Sequence, residues 1–340
     1  MASGSKNEEV ILLAHGDGGR LTHDLVTGLF LRHFGNRLLR ELTDAAAFPV
    51  GEGRMAVTTD SFVIDPPFFP GGDIGKLAVC GTVNDLAVSG ADPRYLTVAF
   101  LIEEGFPLAD LERVAVSMAR TCAEAGIEIV AGDTKVVGRG HLDRIFVNTT
   151  GVGVISPGVD LGYHRLTPGD RILVNGNMGD HGMAVLAVRE GFGFGEQVVS
   201  DCAALHRITG RLLAELDGVK LMRDLTRGGL ATSAKEIAVS SRVDIWLNEA
   251  EIPVGSSIRG AAEMLGVDPL YMANEGKFLA VVAPEEAEEA LSLMRSDELG
   301  REARIIGEVK SGRGDVFLKT ALGGTKYLDL LAGAPLPRIC

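Results

Sequence analysis

The sequence predicts an α/β protein built from two related domains, and three observations carry that expectation. The first is length, since 340 residues exceed the ~250–300 at which a single hydrophobic core stops growing. The second is the alternation of strand-like and helix-like patterns along the chain. The third is a repeated order, strand then proline-opened helix then strand, which occurs once in each half.

In the first half, Arg94 to Ile102 is β-rich, and Phe106-Pro107 opens a helix with Leu108, Leu111, Val114, Met118 and Cys122 on one face. Gly126 ends that helix, and Ile127-Glu128-Ile129-Val130 predicts the next strand. In the second half, Phe278 to Ala283 reads as a strand, Pro284 opens a helix running through Leu291 to Met294, and Arg304 to Val309 is strand again. Pro157, Gly158, Gly162, Pro168 and Gly169 interrupt two β-rich stretches and place a domain boundary between Ser156 and Pro168. The last stretch, Gly333 to Cys340, has two prolines and no periodicity, so an extended, mobile tail is expected.

Composition narrows the function. The 46 acidic residues outnumber the 33 Lys and Arg, for a net charge of −13, which argues against a nucleic-acid or membrane-surface binder. A hydrophobic content of 46% excludes wholesale disorder. No stretch approaches the ~18 apolar residues of a membrane span. Met1 to Asn7 is short, polar and unlike a signal peptide, so a cytoplasmic protein with reduced thiols is expected. Its four cysteines, Cys80, Cys122, Cys202 and Cys340, are too scattered for a disulfide framework or a zinc site.

The 44 glycines are nearly twice the ordinary share of ~7%, and they fall together with acids in short runs. The runs are His15-Gly16-Asp17-Gly18-Gly19-Arg20, Thr58-Thr59-Asp60-Ser61, Gly71-Gly72-Asp73-Ile74-Gly75-Lys76, Asn84-Asp85, Gly132-Asp133-Thr134-Lys135 and Gly179-Asp180-His181-Gly182. Glycine lets backbone N–H groups close on phosphate oxygens, and carboxylates hold the Mg²⁺ that neutralises them. A helix starting near Ile74 adds its positive end, with Lys76 beside it. Any single run also reads as an ordinary Gly-Asp turn; their number favours a nucleotide-binding set of loops. Neither a Walker A pattern nor a dinucleotide fingerprint is present, so the phosphate site is of another type. His181 beside Asp180 reads equally well as a solvated loop histidine. Trp246 and the phenylalanines read as core, and the acids from Glu285 to Glu289 as a solvated helix face.

Cys340 stands apart. A terminal thiol on a proline-stiffened arm is poorly placed for packing and open to oxidation. Ten residues from Leu331 reach roughly 33 Å at ~3.3 Å each, enough to carry the thiol into a cleft. In an extended arm Arg338 lies on the same side and favours thiolate, while the terminal carboxylate opposes it. By composition an inert thiol and a functional one are both open.

The tail Pro337-Arg338-Ile339-Cys340 resembles the C-terminal signature of the HypE family of nickel–iron hydrogenase maturation factors. The resemblance runs from His15 to the last residue. It takes in Thr59 to Val63, Phe69 to Lys76, Val83 to Ala87, Gly132 to Val137, Gly179 to Gly182, Arg223-Asp224, Thr226 to Gly229 and Asn274 to Gly276. It implies the aminoimidazole ribonucleotide synthetase (PurM-like) fold, with two α/β domains, a homodimer formed through the N-terminal sheets and ATP bound near that interface. The implied division is residues 1–40 as a segment with a Gly-rich phosphate loop, 41–160 as an ATP-binding and dimerisation domain, 161–325 as a second PurM-like domain, and 326–340 as the mobile tail. Two departures stand out, Asp17 where a small residue is usual and Leu225 where a proline is usual.

The activity implied is ATP-dependent dehydration of an S-carbamoyl group on Cys340 to S-cyanide, supplying cyanide for the hydrogenase iron. HypF is the implied carbamoyl donor and a HypC–HypD complex the acceptor. Asp60, Asp85 and Asp133 are the implied Mg²⁺ ligands, with Asn84 assisting. Gly16, Gly18, Gly19, Lys76, Thr226, Gly228 and Gly229 join them around ATP. Glu275 is the implied base, with Lys135 relaying a proton or stabilising charge. Lys135 reads equally as a phosphate contact, and Glu275 as a turn carboxylate. The alternatives are another PurM-like enzyme, such as a selenophosphate synthetase or thiamine-phosphate kinase, and a non-catalytic ATP-regulated scaffold.

Overall fold

The computed structural model describes residues 19–25, 27, 40, 42, 46–49, 53–192, 198–331, 333 and 338–340. Gly16, Asp17 and Gly18 lie outside the described residues. The short helix α1 (Arg20–Leu25) is tied to the root of the tail, because the Arg20 N–H donates to the Leu331 carbonyl at 3.0 Å.

The first domain runs β1 (Ala46–Pro49), β2 (Arg54–Phe62), the small hairpin β3 (Phe68–Phe69) and β4 (Gly72–Asp73), α2 (Ile74–Val88), β5 (Ala91–Glu103), α3 (Leu108–Ala125), β6 (Glu128–Val137) and β7 (Ile145–Ile155). Its sheet has the order β1-β2-β7-β5-β6; β5 and β6 are parallel across α3, and the other pairs are antiparallel. Alternation sets its two faces. Ala56, Thr58 and Phe62 of β2 and Leu96, Val98 and Ile102 of β5 are buried, whereas Tyr95 and Val154 stand exposed on the other side. Gly126 caps α3 in the left-handed conformation, as its place in the sequence predicts.

The second domain runs β8 (Arg171–Val174), α4 (Asp180–Arg189), α5 (His206–Glu215), β9 (Val219–Asp224), α6 (Gly229–Ser241), β10 (Val243–Asn248), α7 (Ser256–Leu265), β11 (Phe278–Val282), α8 (Ala287–Arg295), β12 (Arg304–Ser311), β13 (Val316–Lys319) and β14 (Thr325–Leu328). These strands form one sheet in the order β14-β13-β10-β12-β8-β11-β9. Every residue of β11 is buried. Leu279 and Val281 enter the core that contains Leu230, Ala234 and Ile237 of α6, while Phe278, Ala280 and Val282 enter the core formed with α5 and α8. Trp246 is only partly buried and stacks on Phe317 at 4.5 Å rather than filling a core.

Helix α2 is the seam. Thirteen of its fifteen residues are buried, because one side packs on the first sheet and another meets the second domain. A helix covered on several sides shows no single apolar stripe, which is why periodicity did not predict it.

Three of the glycine-and-acid runs are regular structure rather than loops. Thr58 to Ser61 lie in β2, Asn84 and Asp85 in α2, and Gly132 to Lys135 in β6. Backbone pairing supplies the reason: Asp60 is registered with Thr149, and Asp133 with Ala99. The described end of the tail docks inward. Val63 N–H donates to the Cys340 carbonyl at 3.0 Å, and Ile339 is 4% exposed in the first-domain core. Burying Ile339 and pairing its neighbours' backbone holds the end in place.

Candidate active site

The inner faces of the two domains enclose a cavity of about 240 Å³. From the first domain, β2 supplies Thr58, Asp60 and Phe62, and α2 supplies Gly81 and Asp85. From the second come Arg223 and Asp224 at the end of β9, Thr226 and Arg227 in the following turn, and Glu275 just before β11. Cys340 closes it from the tail.

Each side chain has a local reason for its position. Thr58 and Asp60 are two apart on one strand and so share its inner face. Thr58 Oγ1 donates to Asp85 Oδ2 at 2.8 Å, orienting that carboxylate. Asn84, 2% exposed, faces the domain seam instead of the cavity. Its amide donates to the carbonyls of Ala203 at 3.0 Å and Glu275 at 3.2 Å and accepts the Leu205 N–H at 2.8 Å. Asn84 is therefore a clasp that fixes the Glu275 backbone. Asp201 completes that grip, accepting the N–H of Glu275 at 3.0 Å and of Gly276 at 3.1 Å.

The turn before α6 is held by Asn274, whose Nδ2 donates to the Leu225 carbonyl at 3.0 Å. Leu225 N–H donates to Lys277 O at 3.1 Å, a bond a proline at this position could not make. Gly228 and Gly229 are both left-handed, with φ of 79° and 60°. A Cβ on Gly229 would fall 2.5 Å from the Met272 carbonyl oxygen, so packing alone already requires glycine there.

Burial governs the charges. Glu275 is 2% exposed, and its Oε1 has no hydrogen-bond partner. Burial first, then the neighbouring carboxylates Asp201, Asp224 and Asp60, push its carboxyl well above the usual range against the pull of Arg227. Burial also raises Asp60, opposed by Arg227 and the Ser61 N–H. The Cys340 thiol is pushed up by burial, which outweighs the attraction of Arg227, and Glu275 and Asp60 add to the rise. Arg227 is held more firmly protonated, first by Cys340 and then by Asp60, Glu275 and Asp85 against the opposing effect of burial. The cation nearest the chemistry is thus Arg227, not Arg338. Arg338 turns away at φ 54° to meet the Val63 carbonyl and Asp143.

The structure brings together Cys340, Glu275, Asp60, Asp85 and Thr226 from the residues singled out in the sequence. It does not bring Lys76 there: its ammonium donates to the Gly71 carbonyl at 2.9 Å. The start of α2 is likewise engaged within the chain, with Asp73 accepting from the N–H groups of Gly75 and Lys76. Asp133 and Lys135 pair with one another, Nζ to carboxylate at 3.1 Å. They are registered with Ala99 and Leu101, on the sheet face opposite Asp60. Gly19 packs against the Leu331 carbonyl.

Arg227, Asp224 and Thr58 gain their place in the site only from the fold. His181 reverses the solvated-loop reading. It is fully buried at the start of α4, where burial lowers its pKa and favours the neutral ring.

Two family models match, "AIR synthase related protein, N-terminal domain" over residues 42–155 and the corresponding C-terminal domain over residues 167–319. The carbamoyl dehydratase HypE of Cupriavidus necator is 50% identical over 330 residues, covering 96% of this chain and 94% of that protein. The chain belongs to the HypE family. Among solved HypE structures, one in a HypE–HypF complex aligns with a TM-score of 0.86 at 46% identity, covering 90% of this chain and 99% of that one. One in complex with ATP aligns at 0.83 and 47% identity, covering 97% and 100%. Cys340 thus lies inside a cavity lined by residues of both AIR synthase related domains. Among the described residues no helix is long and apolar enough to cross a membrane.

Proposed function

We propose that this chain dehydrates an S-carbamoyl group carried on Cys340 to a thiocyanate, with ATP as co-substrate, so that cyanide becomes available for a hydrogenase iron. The observation that carries this reading is the seating of Cys340 in one cavity with Glu275, Asp60, Asp85 and Arg227. An enzyme acting on a diffusible substrate has no need to dock its own C-terminus there.

The chemistry balances as carboxamide plus ATP giving nitrile, ADP and phosphate. The amide oxygen takes the γ-phosphoryl group, two N–H protons leave, and the C–O bond breaks with phosphate as leaving group. ATP supplies that activation, and Mg²⁺ neutralises the phosphates. The cavity suits such a pair. Five carboxylates against two guanidinium groups leave an excess of negative charge, as a site for a hard cation requires. Among the described residues no three His, Cys, Asp or Glu groups converge as a complete metal cage. Magnesium held by one or two carboxylates plus substrate phosphates fits that count. Asp60 and Asp85 are the proposed ligands, with Thr58 orienting Asp85.

Glu275 accepts the carboxamide protons. Its buried, unpartnered Oε1 and raised pKa make it a stronger base than a surface carboxylate once its own proton has gone. Arg227 offsets negative charge on the amide oxygen side. Lys135 and Asp133 enter from a second copy packed on the open face of the first sheet, where Tyr95 and Val154 are exposed. The thiol inside the cavity is held neutral and is a poor nucleophile, so carbamoylation by HypF takes place with the tail swung out. A HypC–HypD complex is the proposed acceptor, met in the same outward position.

Mass spectrometry of the C-terminal peptide tests the reading, with the chain incubated with HypF, carbamoyl phosphate and Mg-ATP. The expected result is a carbamoyl adduct on Cys340 that converts to a cyano adduct only when ATP is supplied to the carbamoylated chain. An unmodified Cys340 would sink it.

A further inference from the structure

The last three residues are held inward by the buried Ile339 side chain, by the Arg338 guanidinium on Val63 and Asp143, and by a set of contacts to their backbone. Two side chains of α4, one near each end, grip consecutive carbonyls. His181 Nε2 lies 2.7 Å from the Ile339 carbonyl oxygen, and Arg189 Nη2 lies 2.7 Å from the Arg338 carbonyl oxygen. A carbonyl only accepts, so His181 carries its proton on Nε2 and leaves Nδ1 as acceptor. Ser200 Oγ, 2.8 Å from Nδ1, donates that second bond while itself accepting the Cys202 N–H at 3.1 Å. Phe69 meets the ring edge-on at 5.3 Å. The imidazole is thus fixed in tautomer and orientation before the tail arrives. Arg189 is anchored in the same way, with Nε and Nη2 both donating to the Asp65 carbonyl.

None of these groups lines the cavity. We infer that His181 is a positioning residue for dehydration, a latch on the Ile339 carbonyl that sets how long Cys340 stays in the cavity, with Arg189 as its companion. The inference rests on the dehydratase reading above. Its consequence is an opposition between two steps: loosening the latch favours the outward tail, and so carbamoylation, at the expense of dehydration. Because the grip is on backbone, it acts equally on the free, carbamoylated and cyanated forms of Cys340.

The test uses the full chain and three measurements on His181→Ala, with His181→Gln as the variant that keeps a donor. Iodoacetamide labelling of Cys340, read on the peptide starting at Asp329, is expected to quicken about fivefold in His181→Ala, the scale of one lost hydrogen bond, and to return towards wild type in His181→Gln. Carbamoylation by HypF with carbamoyl phosphate and Mg-ATP, read as carbamoyl plus cyano adducts together, should hold steady or rise, while ATP-dependent conversion of the pre-carbamoylated chain falls by about the same factor. If His181→Ala does not fold, Arg189→Met is put through the same measurements with the same expectation. Labelling unchanged in folded variants would overturn the latch, as would equal losses in both steps that track a fall in melting temperature. Wild-type chain that labels slowly yet never forms a cyano adduct would instead remove the dehydratase reading and leave the tail contact standing.

Discussion

The Lys277 ammonium lies 3.2 Å from the Asp201 carboxylate, and the two side chains are 12% and 3% exposed. That carboxylate in turn holds the backbone of Glu275 and Gly276. Burial pushes the Asp201 pKa up, but Lys277 and the Glu275 N–H outweigh it, and the net direction is down. A lowered carboxyl pKa stabilises the fold above the unfolded value of 3.8 and loses that contribution as pH falls through the folded pKa. Lys277→Met removes the partner and strands a buried charge. The expected loss is ~3–5 kcal/mol near neutral pH, with acid unfolding moved to higher pH in thermal melts. An unchanged melting temperature at pH 7 would refute the role given to this pair.

Glu275→Gln should separate stability from activity. Its raised pKa means that the wild-type contribution is full below the unfolded value of 4.5 and is lost as pH rises towards the folded pKa. The amide escapes that loss. The variant is expected to melt higher than wild type at pH 8, with the difference closing near pH 4.5. Conversion of carbamoylated Cys340 should fall by at least ~10²-fold, as for a lost general base. A variant that retained full conversion would rule Glu275 out as the base.

Lys135 and Asp133 are 69% and 59% exposed, so Lys135→Ala should change stability by no more than ~1 kcal/mol. Mixing Lys135→Ala chains with Cys340→Ala chains decides where Lys135 acts. Hybrid dimers regain conversion only if Lys135 of one copy serves Cys340 of the other, and no recovery is the outcome that places both in one chain.

Gly229→Ala combines a left-handed φ of 60° with a Cβ 2.5 Å from Met272 O and 2.6 Å from Leu270 O. Strain and overpacking together should cost roughly 2–5 kcal/mol, read from the urea midpoint. A loss under ~0.5 kcal/mol would show that the turn yields.

The two-domain α/β character was legible because Gly126 and Pro284 punctuate amphipathic segments whose periodicity is local. Of helix α2 only the start near Ile74 was legible, since its faces are nearly all covered and show no single apolar stripe. The carboxylates of the site were legible as residue types. Their grouping was not, because Asp60 and Asp133 both sit in strands and face opposite sides of one sheet. Strand parity within a sheet is set by register, which a single run does not reveal. The places of Asn84 and His181 were not legible for a related reason: each bonds to residues more than a hundred positions distant.

The sequence by itself determined the chemistry available to this protein: a terminal thiol, a set of glycine-linked acids and a pattern shared with the HypE family. These are properties of residues and short motifs. Tertiary structure alone decided which acids share a cavity with Cys340, that Arg227 is the cation beside it, and that His181 grips the tail. Those relations depend on how two sheets close on one buried helix and on the desolvation that follows. Burial, not residue type, raises the pKa of the thiol and of Glu275 and makes one hydrogen bond to Ile339 matter.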